Sequence, residues 1–544
     1  MKNIERGEVS KENRAEEYFE KQYSRLDPET RRIFESHELY PLFYPKTVAI
    51  VGVSGDPGYG ASTFMLALEG FNYSQFGTMY PINPKYAGKD LHGYRCYESL
   101  ESLPETPDYV LSGLPATKTP DIVRDAVSVG AKFFIIFSSG FNEIEADAGR
   151  GLYEEIFSII NSTENKDSEG RKRLRLVGPN CVGVYNPSGG MAQFIDRPQD
   201  MYGDISMISQ SGGQGRYLAS YFSQRNHPAR MCISVGNVLD INEMDIIDFY
   251  RVDPFSRAVL CYMEGLPQDK GSRMLEIIKD TVKTKPVVIW KAGKTKASHT
   301  AVSSHTGTMA GNADIFEAAM RQAGAIVTNS LESIFDVTSS LLLPSFTPLK
   351  RNYTVKGGKE FTAPVGDNSG MKIGIALCGG GASVEAADAF SARNIQAAAF
   401  DQETKKAMAE ALPGVNTFIV NPVDIGDTGY NPDLYRKILE LLAADKNVDL
   451  IITSREIERF AMFGRWFSDA DLGATHADII KSVNERYQKP IFVIVPEVEI
   501  DTDSHMKRLK FINQLREANI PSFPTAERAA VAVSLIKKYL KSAN

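Results

Sequence analysis

The feature that most constrains this chain is a repeated unit. A short β-branched run meets a cluster of glycines and is followed by a helical pattern. TVAIVGVS, from Thr47, runs into Gly52, Gly55, Gly58 and Gly60. FNYSQFGTMYPINPK, PDYVLSGLPA, AKFFIIFSSG and RLRLVGPNCVG are four further strand-like runs, with helical patterns between them. In TPDIVRDAVSVG, for example, Ile122, Val123, Ala126 and Val127 fall on one face at helical spacing. Strands alternating with helices predict an α/β fold with parallel, doubly wound sheets.

The unit recurs twice. GDISMISQSGG is a strand and turn followed by the helical QGRYLASYFSQRN; ARMCISVGN, SRAVLCYMEG and KPVVIWKAG continue the series. MKIGIALCGGGAS opens a third set, which continues with VDLIITS and KPIFVIVPEV and closes on the amphipathic AERAAVAVSLIKKYL. Both later sets carry a KP-led apolar strand, a weak internal repeat. The expected organisation is an N-terminal arm at 1–38, domains at 39–200, 201–349 and 371–544, and a polar, glycine-rich linker at 350–370. The arm is charged with scattered aromatics, which fits either a solvated helix or a segment packed on a neighbour.

Composition narrows the function classes. The 544 residues are 43% apolar and 24% charged, which excludes a disordered or fibrous chain. Sixty-one Lys and Arg against 68 Asp and Glu give a formal net charge of -7, so no bulk footprint for nucleic acid is expected. Apolar runs such as Phe133–Phe137 fall far short of the ~18 residues a membrane span needs. The N-terminus has no apolar signal core, and the five cysteines are scattered without metal or disulfide spacing. A reduced, cytoplasmic protein is the expectation, with no membrane and no metal site.

Several segments could carry chemistry. Gly52, Ser54, Gly55 and Gly58 follow a strand, where glycines admit a phosphate to backbone amides or only shape a turn. A dehydrogenase would place an acid after the next strand to hold a ribose diol; here Asn83, Pro84 and Lys85 stand there, and a lysine suits a phosphate better. Ser138-Ser139-Gly140 and Asn180-Cys181 lie at later strand ends, as ligand loops or as punctuation. Ser209-Gln210-Ser211-Gly212-Gly213 and Gly379-Gly380-Gly381 each open a helix whose N-terminal amides suit an anion, either as a pair on one phosphoryl group or as two unrelated turns.

The most specific segment is KAGKTKASHTAVSSHTGTMAGN, from Lys291 to Asn312. Small and hydroxylated residues surround His305. That histidine fits a general base, a phosphoryl carrier or a plain surface residue; nothing clusters with it to hold a metal. His299 is less constrained. Among Asp204, Asp240, Glu243, Asp245 and Glu264, the last is best placed at a strand end to orient an imidazole, while most others suit solvent or helix caps.

Taken together, VGVSGDPGYG, PINPKYAGKDLHGY, SSGFNE, LVGPNCVGVYNP, SQSGG, SVGNVLDINEMDIIDFY, YMEGL, the His305 segment and NPVDIGD resemble the NDP-forming acyl-CoA synthetases, the superfamily of succinyl-CoA synthetase and ADP-forming acetyl-CoA synthetase. The resemblance runs in order from about residue 40 to the C-terminus. It implies a Rossmann-like coenzyme A-binding domain followed by two flavodoxin-like ligase domains. His305 matches the phosphorylated histidine and Glu264 the glutamate that orients it. Gly52, Ser54, Gly55, Gly58, Asn83, Pro84, Lys85, Pro115, Ser138, Ser139 and Gly140 match coenzyme A-binding positions. Asn180, the SQSGG turn and Gly379–Gly381 match phosphate-binding ones. No ATP-grasp domain follows in this sequence. The resemblance therefore implies an α-type subunit whose β-type partner carries ATP or ADP and Mg, with coenzyme A and a small carboxylic acid as substrates and a homo- or hetero-oligomer as the assembly. The alternatives are a non-catalytic coenzyme A- or nucleotide-binding regulator and, weakened by Lys85, an NAD-dependent oxidoreductase.

Overall fold

The structure is a computed structural model. It describes residues 23–543 apart from 59, 142, 144–146, 193–202, 267–268, 296–297, 299–311, 344–370, 415–416, 468, 470 and 499–500. The expected linker at 350–370 and His305 lie outside the described residues. No helix among those described is long and apolar enough to cross a membrane.

Two short helices come first, α1 (Pro28–Glu35) and α2 (Tyr40–Phe43). Phe34 and Phe43 stack on Phe249 with centroids 5.4 and 4.7 Å apart. This part of the arm is packed rather than solvated, because its aromatics bury more apolar area than a surface helix could leave in water.

The first sheet contains all five strands expected of it: β1 (Thr47–Val51), β2 (Thr78–Ile82), β5 (Tyr109–Ser112), β6 (Phe133–Ile136) and β7 (Arg175–Val177). They are parallel in the order β2-β1-β5-β6-β7. β3 (Asp90–Leu91) and β4 (Tyr94–Arg95) form a small hairpin beside them. The crossover helices are α3 (Ala61–Gly70), α4 (Thr119–Val129) and α5 (Asp147–Asn161). The order reverses between β1 and β5, which opens a crevice outside their carboxyl ends. Gly113 allows α3 to close on that crevice: a Cβ there would lie 2.8 Å from the Ala61 Cβ.

The second sheet has the order β13-β12-β11-β9-β10-β8. Its strands are β8 (Gly183–Tyr185), β9 (Ile205–Ser209), β10 (Ala229–Ser234), β11 (Ala258–Met263), β12 (Val287–Lys291) and β13 (Ile326–Thr328). Its helices are α6 (Gly212–Ser223), α7 (Glu243–Val252), α8 (Gly271–Val282) and α9 (Ala313–Gln322); α10 (Leu331–Leu341) comes next in the chain. β8 is the surprise. It pairs antiparallel to β10, so the chain crosses to the second sheet before residue 200. A second tie is residues 237–241, where Asn237, Leu239 and Ile241 donate amides to Pro179, Gly178 and Leu176 carbonyls, each at 2.9 Å. Arg175 adds ion pairs to Asp240 and Asp245 at 3.0 and 3.2 Å. These bonds make the first two sheets one compact unit ending at Val327.

The other unit begins at Thr328. Its strands are β14 (Lys372–Leu377), β15 (Gln396–Ala397), β16 (Val423–Asp424), β17 (Leu450–Ser454), β18 (Ile491–Ile494) and β19 (Ser522–Phe523), parallel throughout. The helices are α11 (Gly380–Ser391), α12 (Gln402–Ala411), α13 (Pro432–Ala444), α14 (Ile457–Trp466), α15 (Leu472–Tyr487), α16 (Thr502–Glu517) and α17 (Ala526–Ala543). α10 belongs to this unit, where Arg528 of α17 holds the Asp336 carboxylate at 2.7 and 2.8 Å.

Candidate functional site

A cavity of about 790 Å³ opens at the carboxyl ends of the strands in the first unit. The first sheet contributes Gly52, Ser54 and Gly60 after β1, Gly113 to Pro115 after β5, Phe137 to Ser139 after β6, and Asn180 to Val182 after β7. The second sheet contributes Gln210 to Gly213 after β9 and Asn237 after β10. Every lining residue thus follows a strand end or opens a helix, because a parallel sheet directs its strand-to-helix loops to one edge.

Local geometry explains the shape. Gly52 adopts φ +94°, a conformation an L side chain rarely takes, and a Cβ there would meet Leu114 at 3.0 Å. Ser54 is held by the Ser62 hydroxyl, which accepts the Ser54 amide at 2.9 Å. The Ser138 hydroxyl oxygen is buried against this cavity with no partner among the described residues. A buried, unpaired hydroxyl is costly unless a ligand or water completes it. Asn180 stands at φ 56° and its side-chain amide reaches Asn237 Oδ1 at 3.4 Å. Asn237 in turn donates to Glu143 Oε2 at 2.6 Å.

The SQSGG turn opens α6. Ser211 caps it by accepting the Gln214 amide at 3.4 Å. Ser209 is fully buried and donates to the Ser211 carbonyl at 2.6 Å, so it shapes the turn from beneath. Gln210 has its side-chain amide turned inward. Its Nε2 donates to Glu243 Oε1 at 2.5 Å and to the Gly265 carbonyl at 2.9 Å. Its Oε1 accepts the Glu264 and Gly265 amides at 2.5 and 3.1 Å. With both ends of that amide engaged, an anion at this turn meets the helix amides and Ser211 rather than the Gln210 side chain.

Glu264 follows β11 and is buried. Tyr262 hydrogen-bonds its carboxylate; burial first, then that carboxylate, pushes the Tyr262 phenol well above its usual range. Lys291, the last residue of β12, donates to the Glu264 carbonyl at 2.7 Å. Burial, reinforced by Lys294, lowers the Lys291 ammonium to about 8.

Other residues singled out in the sequence lie elsewhere. Gly55, Gly58, Pro84 and Lys85 are exposed and do not line the cavity; Lys85 Nζ stands 5.5 Å from the Tyr86 ring. Asn83 braces its loop, donating to the Val53 carbonyl at 2.8 Å and accepting the Lys85 amide at 3.0 Å. Gly140 takes φ +109° and donates its amide to Glu143 Oε1 at 2.5 Å. Gly379, Gly380 and Gly381 open α11 in the other unit, where the Gly379 amide donates to Asp424 Oδ1 at 2.9 Å. Asp245 completes a capping box with Asn242 on α7, one of the two roles expected of these carboxylates. Asp240 is not solvated: it is paired with Lys172 and Arg175. Leu114, Phe137, Val182 and Asn237 line the cavity without having been singled out, although the SVGN strand end marks Asn237's place.

Known proteins point the same way. The CoA binding domain family matches residues 46–187, and the succinyl-CoA ligase like flavodoxin domain family matches 202–341. Acetate–CoA ligase [ADP-forming] I of Archaeoglobus fulgidus is 31% identical over 413 residues, 76% of this chain. The chain spans about half of that ligase, 54%. The subunit alpha of acetate–CoA ligase [ADP-forming] I from Pyrococcus furiosus is 28% identical over 92% of this chain and 98% of its own length. Among solved structures, the dinucleotide forming acetyl-coenzyme A synthetase 1 of Ca. Korarchaeum cryptofilum, in complex with phosphate and ADP, superposes with a TM-score of 0.75 at 25% identity, covering 93% of this chain and 97% of the other. The chain thus carries a CoA binding domain followed by a succinyl-CoA ligase like flavodoxin domain, and the relative aligned through nearly its whole length is an ADP-forming acetate–CoA ligase subunit alpha.

Proposed function

We propose that the chain is the α-type subunit of an ADP-forming acyl-CoA synthetase. It interconverts acyl-CoA, phosphate and ADP with a carboxylic acid, coenzyme A and ATP. What supports this reading is one shared cavity: coenzyme A-type loops and the phosphate-type turn line the same space. Phosphate attacks the thioester carbonyl, the thiolate leaves, and an acyl phosphate forms. His305 then attacks phosphorus and the carboxylate departs. A covalent carrier divides one difficult transfer into two easier ones. The amides opening α6 stabilise phosphoryl oxygens without needing a proton donor. Glu264 orients the imidazole and stabilises its positive charge. The phosphoryl group passes to ADP held by an ATP-grasp partner with Mg, and the five buried, free thiols suit a reducing cytoplasm.

The pocket chemistry fits coenzyme A. Glycine at 52 and 113 lets Leu114 and Ala61 pack close beside the cavity, and Ser138 offers an unspent hydroxyl. The test is to incubate the full chain and its partner with acetyl-CoA and radiolabelled phosphate. Acid-labile, base-stable label on the chain is the expected result. An unlabelled chain that still binds coenzyme A would make it a regulator without turnover.

Two further outcomes are expected. Lys85→Glu weakens coenzyme A about three- to tenfold, since Lys85 is exposed and its charge is screened. Unchanged affinity by calorimetry removes Lys85 from the site. Glu264→Gln slows label formation about 10²-fold, the usual scale for a group that supports proton or charge transfer. A rate within threefold of the parent would rule out that role.

A further inference from the structure

Glu243 is a buried carboxyl that no step above uses. It is the first residue of α7, with 0% exposure, and its Oε2 has no hydrogen-bond partner among the described residues. Its Oε1 accepts from Gln210 Nε2 at 2.5 Å. Through that amide it touches both ends of the candidate machinery. Gln210 sits between Ser209 and Ser211 in the anion turn, and its Oε1 holds the backbone amides of Glu264 and Gly265. Lys291 grips the Glu264 carbonyl from the other side at 2.7 Å.

We propose that Glu243 is a positioning residue: by orienting the Gln210 amide, it clamps the Glu264–Gly265 strand end to the phosphate-binding turn. This rests on the reading of Glu264 as the partner of His305. The logic is one of unambiguous orientation. An amide side chain could be turned over, with oxygen and nitrogen exchanged, at little cost in shape. Two backbone amides on Oε1 demand one orientation, and an acceptor at Glu243 Oε1 on the opposite side demands the same one. A turned-over Gln210 would set donor against donor at the two backbone amides, and acceptor against acceptor at Glu243 Oε1 and the Gly265 carbonyl. Glu243 therefore removes the alternative in which the Glu264 peptide floats free of the turn.

The carboxyl acts as an acceptor and needs no charge. Burial first, with the nearby Asp245 adding to it, raises its pKa. Besides Asp245 on its own helix, the Cys261 thiol of β11 is the titratable group that feels it. Glutamine at 243 preserves an acceptor oxygen of the same reach, whereas leucine keeps the volume and removes the acceptor. Gln210→Glu keeps the shape but sets oxygen against Glu243 Oε1 and the Gly265 carbonyl.

The experiment compares the full chain, E243Q, E243L and Q210E. First, amide hydrogen exchange is followed in peptides covering residues 263–265, on variants shown to be folded by thermal melting. Exchange at Glu264 and Gly265 should rise at least about tenfold in E243L and Q210E, the scale of losing a buried hydrogen bond, and stay near the parent in E243Q. Second, with the partner present, phosphoryl labelling should slow at least about tenfold in E243L and Q210E and recover in E243Q, with coenzyme A affinity in E243L within about twofold of the parent. Unchanged exchange in E243L overturns the proposal, as does exchange in E243Q as fast as in E243L. Open amides with labelling at the parent rate show a clamp that positions nothing, which also overturns it. If the parent chain itself takes no label, the catalytic reading falls and with it the positioning role, while the exchange result separately decides whether the clamp exists.

Discussion

His305→Ala should remove the phosphoryl label entirely and lower turnover with the partner by about 10⁵-fold, the scale seen when a covalent nucleophile is deleted. Nothing else in the Lys291–Asn312 segment offers a nucleophile that forms an acid-labile, base-stable phosphoryl bond, apart from His299 and the lysines. The hydroxyls that crowd the segment would give esters with the opposite stability. His299→Ala therefore serves as the internal control and should retain label. The small residues around His305 favour a carrier, because a side chain that must visit two sites is poorly served by a bulky, anchored loop. Coenzyme A affinity should be unchanged in His305→Ala, since the strand-end loops that line the cavity are intact in that variant. Label that survives the substitution assigns the carrier to another residue. Loss of label together with loss of coenzyme A binding points to misfolding instead.

The sequence was a good guide wherever an element was long enough to impose a period. All five strands of the first sheet are legible, since parallel strands buried on both faces read as unbroken apolar runs. The edge that opens into the cavity was legible too, because glycines and small residues collect where the backbone must turn sharply at strand ends. Short pairings left no such signal. β8 is three residues long, and β15, β16 and β19 are two each, too few for either period to emerge. That is why the step from the first sheet to the second was expected near residue 200, when β8 makes it near 183. Side-chain direction was harder still. SQSGG marks a phosphate-type turn, yet nothing in those letters says that Gln210 faces inward; that depends on Glu243, 33 positions away. The arm was ambiguous for a similar reason. Phe34 and Phe43 could have been scattered surface aromatics until Phe249 gave them a partner.

Asp253→Ala should destabilise the first unit by about 3–5 kcal/mol, the cost of leaving a buried charge without its partner. Asp253 is 0% and Arg230 4% exposed. The carboxylate accepts from Arg230 Nε and Nη2 at 3.3 and 3.4 Å, from the Ser256 hydroxyl at 2.5 Å and from the Phe255 amide at 3.2 Å. Arg230 also donates to the Tyr44 hydroxyl at 2.6 Å and lies over the Phe255 ring, so one pair ties the segment before β1 to the second sheet. A guanidinium cannot shed its proton to escape the penalty, as a buried lysine can. The companion variant Arg230→Met/Asp253→Leu should recover most of the loss, because removing both charges removes the desolvation cost with them. The measurement is urea unfolding followed by exchange of the β10 amides, which belong to this unit. Arg230 sits at the start of β10, at the sheet edge opposite the cavity, so coenzyme A affinity of the folded Asp253→Ala protein should match the parent. A loss below about 1 kcal/mol, the range of an exposed pair, would mean that solvent reaches Arg230 once the carboxylate is gone.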